Sequence, residues 1–181
     1  MPQWLEDAEN GLTVRFRSLL AGLYRDLKQL DERVRELDQE VAASAREHEP
    51  VRRLMQINGV GPLIASALYA LVGDARQYRN GRDLAVALGL TPRQHSSGGK
   101  EKLLGISKRG DKYVRTLLIH GARSALRTAP GRTDRISRWA LALAERSHPN
   151  VAVTALANKT ARVAWAMLRH GANYEPERVA A

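Results

Sequence analysis

The chain is 181 residues long and contains no cysteine, which excludes disulfide scaffolds, cysteine-ligated metal centres and thiol nucleophiles. Its 44% hydrophobic content is enough to bury a core, and no apolar run approaches the roughly 18 residues of a membrane helix. The net charge of +10 is uneven, because residues 1–50 carry a net charge of −4 and residues 51–181 a net charge of +14. This basic region favours a nucleic-acid partner, although a basic protein without a polyanionic partner has the same composition.

The first predicted element is one long helix with a heptad pattern. Eight apolar residues follow one another at alternating spacings of four and three residues, as in a coiled coil. No proline occurs between Thr13 and Glu49, so we expect a helix of about 35 residues that ends at Pro50. Such a stripe needs a partner helix, and we expect self-association, although folding back on the same chain would leave the same pattern. The a positions are Leu20, Leu27, Val34 and Val41, and the d positions are Phe16, Leu23, Leu30 and Leu37.

The remainder of the chain is predicted to be helical, with Gly, Pro and Asn residues at the breaks. Residues 91–105 form a long polar segment without a useful alternating strand pattern, and we predict a loop there. Ser107 is the candidate N-cap of the helix that follows. The prediction is therefore an all-α fold, with a coiled-coil assembly helix in residues 1–50 and a compact helical domain in residues 51–181. The predicted helices of that domain are 51–57, 62–72, 82–88, 108–127, 133–146 and 151–170.

The first candidate site is the turn that contains Gly59, Val60 and Gly61. A Gly-x-Gly turn between apolar residues resembles the helix-hairpin-helix motif of DNA-binding proteins. Glycines let a phosphate approach closely, and the free N–H groups at the start of the next helix favour an anion. Gly59 and Gly61 are therefore candidate contacts to a nucleic-acid backbone, which would carry no sequence information. The alternative is a tight turn whose glycines serve only packing.

The second candidate site is the polar segment around Ser96, Ser97, Gly98 and Gly99. Nearby cations can stabilise the negative charge of a phosphate under attack, and a serine can be a nucleophile if a base or metal activates it. His95 is the nearest candidate base in sequence. From the residues alone, an ordinary flexible loop is the stronger interpretation. Lys108, Lys112 and Arg115 are spaced as one stripe of the predicted helix, and the candidate phosphate contacts are Lys100, Lys108, Arg109 and Arg115.

Metal-binding patterns are missing from the basic region of the sequence. Its eight carboxylates form no spaced acidic constellation of the kind that two-metal phosphoryl transfer requires, and the five histidines of the chain are dispersed. We therefore expect no metal and no cofactor to be bound by this chain itself.

The segment from Leu54 to about Tyr174 resembles the C-terminal domain of the DEDD-type insertion-sequence transposases. These are relatives of the Piv DNA invertase and are understood as bridge-RNA-guided recombinases. The resemblance rests on the order and spacing of several motifs, which cover about two-thirds of the chain. The matching pieces are Gly59-Val60-Gly61-Pro62, Leu84-Ala85 through Gly89-Leu90-Thr91-Pro92, Ser97-Gly98-Gly99-Lys100, Ile106-Ser107-Lys108-Arg109-Gly110-Asp111, Arg115-Thr116-Leu117-Leu118 and Asn158-Lys159-Thr160-Ala161-Arg162.

The resemblance implies that Ser97 is a nucleophile that attacks DNA and forms a covalent phosphoserine, with Ser96 as the second choice. In that family an N-terminal RuvC-like domain supplies four acidic residues that bind Mg²⁺. This chain starts at the coiled coil, so we expect the Mg²⁺ site to lie outside it and the isolated chain to be unable to exchange strands. The implied partners are DNA, a guide RNA in the full-length protein and a second copy of the chain, with no membrane, in the bacterial cytoplasm at the nucleoid.

The sequence therefore predicts the C-terminal part of a transposase or site-specific recombinase. The alternative, from a different class, is a non-catalytic dimeric helix-hairpin-helix module that binds nucleic acid. The two differ in whether Ser97 reacts with DNA.

Overall fold

A computed structural model describes residues 3–7, 9–97 and 100–177, without the side chains of residues 3–4, 95–97 and 100–103. It is mostly helical and contains one small antiparallel sheet, which confirms the predicted all-α class. The chain divides into two units, residues 1–42 and 43–181. No helix in the described part is both long and apolar enough to cross a membrane.

The first unit contains helix α1 (Gln3–Glu6) and most of helix α2 (Val14–Glu47), which is 34 residues long and agrees with the predicted long helix. Its polar faces carry exposed ion pairs, Arg33 with Glu36 and Arg35 with Glu32. Two heptad residues are half-buried and six are exposed, so the described chain leaves most of the apolar stripe uncovered. The exposed six are Phe16, Leu23, Leu27, Leu30, Val34 and Leu37.

Three short helices of the second unit follow α2, with a 3-10 turn (Ala75–Gln77) between the second and the third. They are α3 (Glu49–Leu54), α4 (Pro62–Val72) and α5 (Gly81–Ala87). Pro62 stands in the first turn of α4, as predicted, because its fixed φ suits that position and its missing N–H is not needed there. Asn80 caps α5, since its side-chain oxygen accepts hydrogen bonds from two backbone N–H groups of the first turn.

Two strands follow α5 where the sequence predicts a loop. Strands β1 (Pro92–Ser97) and β2 (Lys100–Ile106) pair in antiparallel register, with an irregularity near Pro92. The prediction of a structureless segment at 91–105 was therefore wrong. Strand β1 is polar, and the apolar residues of β2 (Leu103, Leu104 and Ile106) do not alternate with polar ones over the strand, so hydrophobic periodicity gave no signal. The signal that was present is the Gly98-Gly99 pair, since two glycines between two runs are typical of a hairpin.

Helix α6 (Lys112–Thr128) begins later than predicted. Asp111 is its N-cap and accepts a hydrogen bond of 2.6 Å from the N–H of Val114, so the assignment of Ser107 as the cap was wrong. Lys108 has φ +56°, a left-handed conformation that cannot continue into a helix. The predicted stripe of Lys108, Lys112 and Arg115 on one helix therefore does not form.

The last two helices complete the second unit. A 3-10 turn (Ala129–Gly131) leads to α7 (Arg135–Arg146), and α8 (Pro149–His170) follows. Asp134 caps α7. Burial alone would raise the pKa of its carboxyl, but hydrogen bonds from Ser137 and Arg132 outweigh that effect and leave the pKa below its usual value.

The core of the second unit forms around α8. This helix packs against α3, α5, α6 and α7, and its fully buried alanines allow neighbouring backbones to approach closely. Leucines from the surrounding elements fill the remaining space. The buried alanines of α8 are Ala152, Ala157, Ala161 and Ala164, and the most deeply buried leucines are Leu54, Leu68, Leu84, Leu88, Leu90 and Leu118.

Candidate nucleic-acid interface

The base of the β1–β2 hairpin is fixed by backbone contacts to the end of α5. The N–H of Ser107 donates to the carbonyl of Thr91 at 2.8 Å, and the N–H of Lys108 donates to the carbonyl of Gly89 at 3.1 Å. Gly89 (φ +67°) and Gly110 (φ +99°) lie where these segments touch. A Cβ atom on Gly89 would overlap the backbone of Arg109, and one on Gly110 would overlap the carbonyl of Ala87. Only glycine fits at either position.

Arg115 reinforces the same joint from α6. Arg115 is only 8% exposed. Its Nη1 atom donates to the carbonyl of Leu88 at 3.1 Å. The carbonyls of Asp111, at 3.3 Å, and Gly110, at 3.5 Å, accept from the same atom. A buried guanidinium that satisfies backbone carbonyls holds the hairpin base in place. This geometry favours a structural role for Arg115 over the predicted phosphate contact.

Replacing Arg115 with methionine tests that role. The variant keeps most of the side-chain stem but leaves the Leu88 carbonyl without its donor. We expect the free energy of unfolding in urea to fall by about 1.5–3 kcal/mol. Arg123→Met is the matched control, because Arg123 is exposed on the same helix, and it should stay within about 0.5 kcal/mol of the parent. Equal losses in the two variants would contradict the assignment.

The structure separates the predicted site residues along the hairpin. Ser97 and Lys100 form the last pair of the register, at the tip, whereas Lys108 and Arg109 are exposed beyond the base. The strand between them spans about 20 Å at 3.3 Å per residue. Gly98 and Gly99 lie outside the described residues, as do the side chains of His95, Ser96, Ser97 and Lys100. The structure therefore describes the backbone position of Ser97, and the chemistry of its side chain stays a prediction.

The two glycines of the Gly-x-Gly turn differ in their surroundings. Gly59 has φ +83°, and a Cβ atom there would overlap the carbonyl of Gly121 in α6, so packing accounts for it. Gly61 is the N-cap of α4, and a Cβ atom there would meet no atom within 4 Å. Glycine offers no capping side chain, so the first N–H groups of α4 have no side-chain acceptor at the cap. Of the two, only Gly61 leaves room for a phosphate.

Metal binding is not supported by the part of the chain that the structure describes. No three His, Asp or Glu side chains in that part lie close enough together to hold a metal ion. The family resemblance implies a Mg²⁺ site in another domain, and that expectation stays a prediction.

Comparison with known proteins gives consistent matches. Residues 51–137 match the family described as "Transposase IS116/IS110/IS902 family". The chain is 48% identical over 158 residues to a probable family 20 transposase of Pseudomonas aeruginosa. The aligned segment covers 87% of this chain and 47% of that protein. It is 47% identical over 174 residues to the transposase for insertion sequence element IS1111A of Coxiella burnetii. Here the aligned segment covers 96% of this chain and 48% of that protein.

A third relative, the transposase for insertion sequence element IS1328 of Yersinia enterocolitica, is 39% identical over 153 residues, covering 84% of this chain and 46% of that protein. The chain thus spans about half the length of the curated relatives it matches.

Proposed function

We propose that the chain is the part of a DNA transposase that supplies the nucleophile, Ser97. The starting point is the match of residues 51–137 to the transposase domain of the IS116/IS110/IS902 family. The observation that carries this proposal is the position of Ser97 at the tip of a hairpin in an otherwise helical domain. Gly89, Gly110 and Arg115 anchor the base of that hairpin. A residue on an anchored strand is positioned more precisely than one on a loop, which suits a group that must meet a substrate.

The proposed reaction is a transesterification on DNA. The Oγ atom of Ser97 attacks a phosphorus of the backbone, an Oγ–P bond forms, and the P–O bond to the departing sugar oxygen breaks. The serine proton must pass to a base. Because the described residues hold no carboxylate cluster, we propose that the Mg²⁺ site lies in another part of the full-length protein and that this chain alone does not transfer strands.

The proposed nucleic-acid contacts are sequence-independent. Lys108 and Arg109 are exposed, Gly61 leaves the start of α4 open, and Lys100 pairs with Ser97 in the hairpin register. Cations that neutralise phosphates make affinity fall steeply with salt. We propose that the partner at these residues is DNA, and that a guide RNA joins in the full-length protein.

The alternative function is a non-catalytic helix-hairpin-helix module, and the open surroundings of Gly61 are the observation that favours it. A chimera separates the two functions, with this chain replacing the matching part of the Pseudomonas relative. The chimera is incubated with labelled DNA and Mg²⁺ and analysed on a denaturing gel. A covalent protein–DNA adduct supports the transposase function, and salt-dependent binding without an adduct supports the binding module.

The exposed heptad stripe of α2 leads us to propose a homo-oligomer. Leu30 is 64% exposed at a d position, and burying a leucine in each of two chains is worth about 3–6 kcal/mol. We expect Leu30→Lys to raise the dissociation constant more than about 100-fold in sedimentation measurements. Gln29→Lys is the matched control, because Gln29 is exposed off the stripe, and it should leave the association unchanged. A parent chain that sediments as a monomer would contradict self-association.

A further inference from the structure

A pocket of about 780 Å³ lies in the second unit, between the start of α5 and the C-terminal half of α8. None of the residues discussed for the nucleophile or its phosphate contacts lines it. Its walls combine cations with aromatic rings, and one carboxylate is among the described lining residues. The residues that matter here are Arg82, Lys159, Arg162, Trp165, Tyr174 and Glu175.

Lys159 is a buried cation without a carboxylate partner. It is 6% exposed, its Nζ atom lies 4.4 Å from the ring centroid of Trp139, and no described carboxylate forms an ion pair with it. Burial lowers the pKa of its ammonium, and the charges of Arg162 and Arg135 lower it further. A buried ammonium surrounded by cations is a place where an anion would be strongly favoured.

Backbone packing and hydrogen bonds hold parts of the pocket walls in position. A Cβ atom on Gly81 would lie 2.9 Å from the Cα of Arg162, so α5 and α8 approach there by backbone contact. The indole N–H of Trp165 donates to the carbonyl of Ala75 at 3.1 Å. The N–H of Tyr174 donates to the side-chain oxygen of Gln56 at 2.9 Å. The α5 and α8 backbones, the indole of Trp165 and the backbone of Tyr174 are therefore already in place before any ligand binds.

This pocket gives a role to a motif that the proposed nucleophile leaves unused. The segment Asn158-Lys159-Thr160-Ala161-Arg162 places two cations three residues apart on α8, both lining the pocket. Asn158 stabilises the arrangement, because its side-chain amide donates to the carbonyl of Leu90 at 3.2 Å.

We propose that this pocket binds one unpaired nucleotide of a nucleic-acid strand, with Lys159, Arg162 and Arg82 contacting its phosphate and the rings of Trp165 and Tyr174 contacting its base. Choosing nucleic acid over another phosphorylated ligand rests on the proposed function. An unpaired nucleotide fits better than a duplex, because only an unstacked base exposes a face to aromatic side chains inside a pocket.

The test compares single-stranded and duplex binding by the intact chain. Fluorescence anisotropy is measured with a labelled single-stranded oligonucleotide and with a duplex of the same sequence. The variants are Arg162→Gln at an exposed position and Tyr174→Ala at a half-buried position packed against the core, and thermal unfolding checks that each keeps the fold. We expect each to weaken single-strand binding at least about fivefold while duplex binding changes less than about twofold. Arg123→Gln, an exposed cation of α6 outside the pocket, is the matched control.

Several outcomes would overturn the proposal. Equal weakening of single-strand and duplex binding would show that the cations act only as general surface charge. Competition by inorganic phosphate as effective as that by a mononucleotide would show an anion site without base recognition. Unchanged single-strand binding in both variants would remove the pocket from the interface while leaving Ser97 untouched, since adduct formation by the chimera tests Ser97 separately.

Discussion

In the chimera with the Pseudomonas relative, Ser97→Ala is expected to abolish the covalent DNA adduct, whereas Ser96→Ala is expected to retain it. Alanine removes the attacking oxygen, so adduct formation should fall at least about a thousandfold, below detection on a gel. The hairpin register distinguishes the two serines, because Ser97 pairs with Lys100 and Ser96 pairs with Glu101. A phosphate is favoured beside a cation and disfavoured beside a carboxylate.

The measurement must separate lost chemistry from lost binding. Both serine variants should bind the labelled DNA with the affinity of the parent chimera, because neither change removes a cation. Adduct isolated from the parent should release phosphoserine on hydrolysis. An adduct that persists in Ser97→Ala, or that disappears in Ser96→Ala alone, would assign the nucleophile to another residue.

Gly110→Ala is expected to destabilise the second unit by more than about 2 kcal/mol in urea unfolding. The residue has φ +99°, which strains any L side chain, and the new methyl group would overlap the carbonyl of Ala87. Gly105→Ala is the matched control, because Gly105 lies in β2 with nothing within 4 Å of its would-be Cβ atom. That variant should stay within about 1 kcal/mol of the parent. If Gly110→Ala were as stable as the control, the hairpin base would not depend on this contact.

The sequence predicted those parts of the fold that local chemistry determines. The heptad pattern identified α2, and Pro62 marked the start of α4. The start of α6 was wrong because Ser107 and Asp111 are both good capping residues, and only the left-handed backbone of Lys108 excludes the earlier start. The hairpin was missed because β1 is polar and the apolar residues of β2 do not alternate along the strand, so the pairing left no periodic apolar signal.

The candidate site was predictable only in part for a similar reason. Spacing identified Arg115 as a cation on a helix, but it cannot tell whether a cation faces solvent or backbone carbonyls of another segment. The glycines at positions 89 and 110 were visible in the sequence, yet their shared role depends on contact between α5 and the residues after β2. The choice of Ser97 came from the family resemblance, because a serine beside two glycines is common in loops.

The distance along the hairpin limits what each cation can do to a bound duplex. DNA rises about 3.4 Å per base pair, so the roughly 20 Å from the tip to the base corresponds to about six base pairs, more than half a helical turn. Lys108 and Arg109 would then contact phosphates several steps away from the one beside Ser97. Under the proposed function, their charges would set where the duplex is held along the protein, and neutralisation of the attacked phosphate would depend on groups at the tip and on parts of the protein outside this chain.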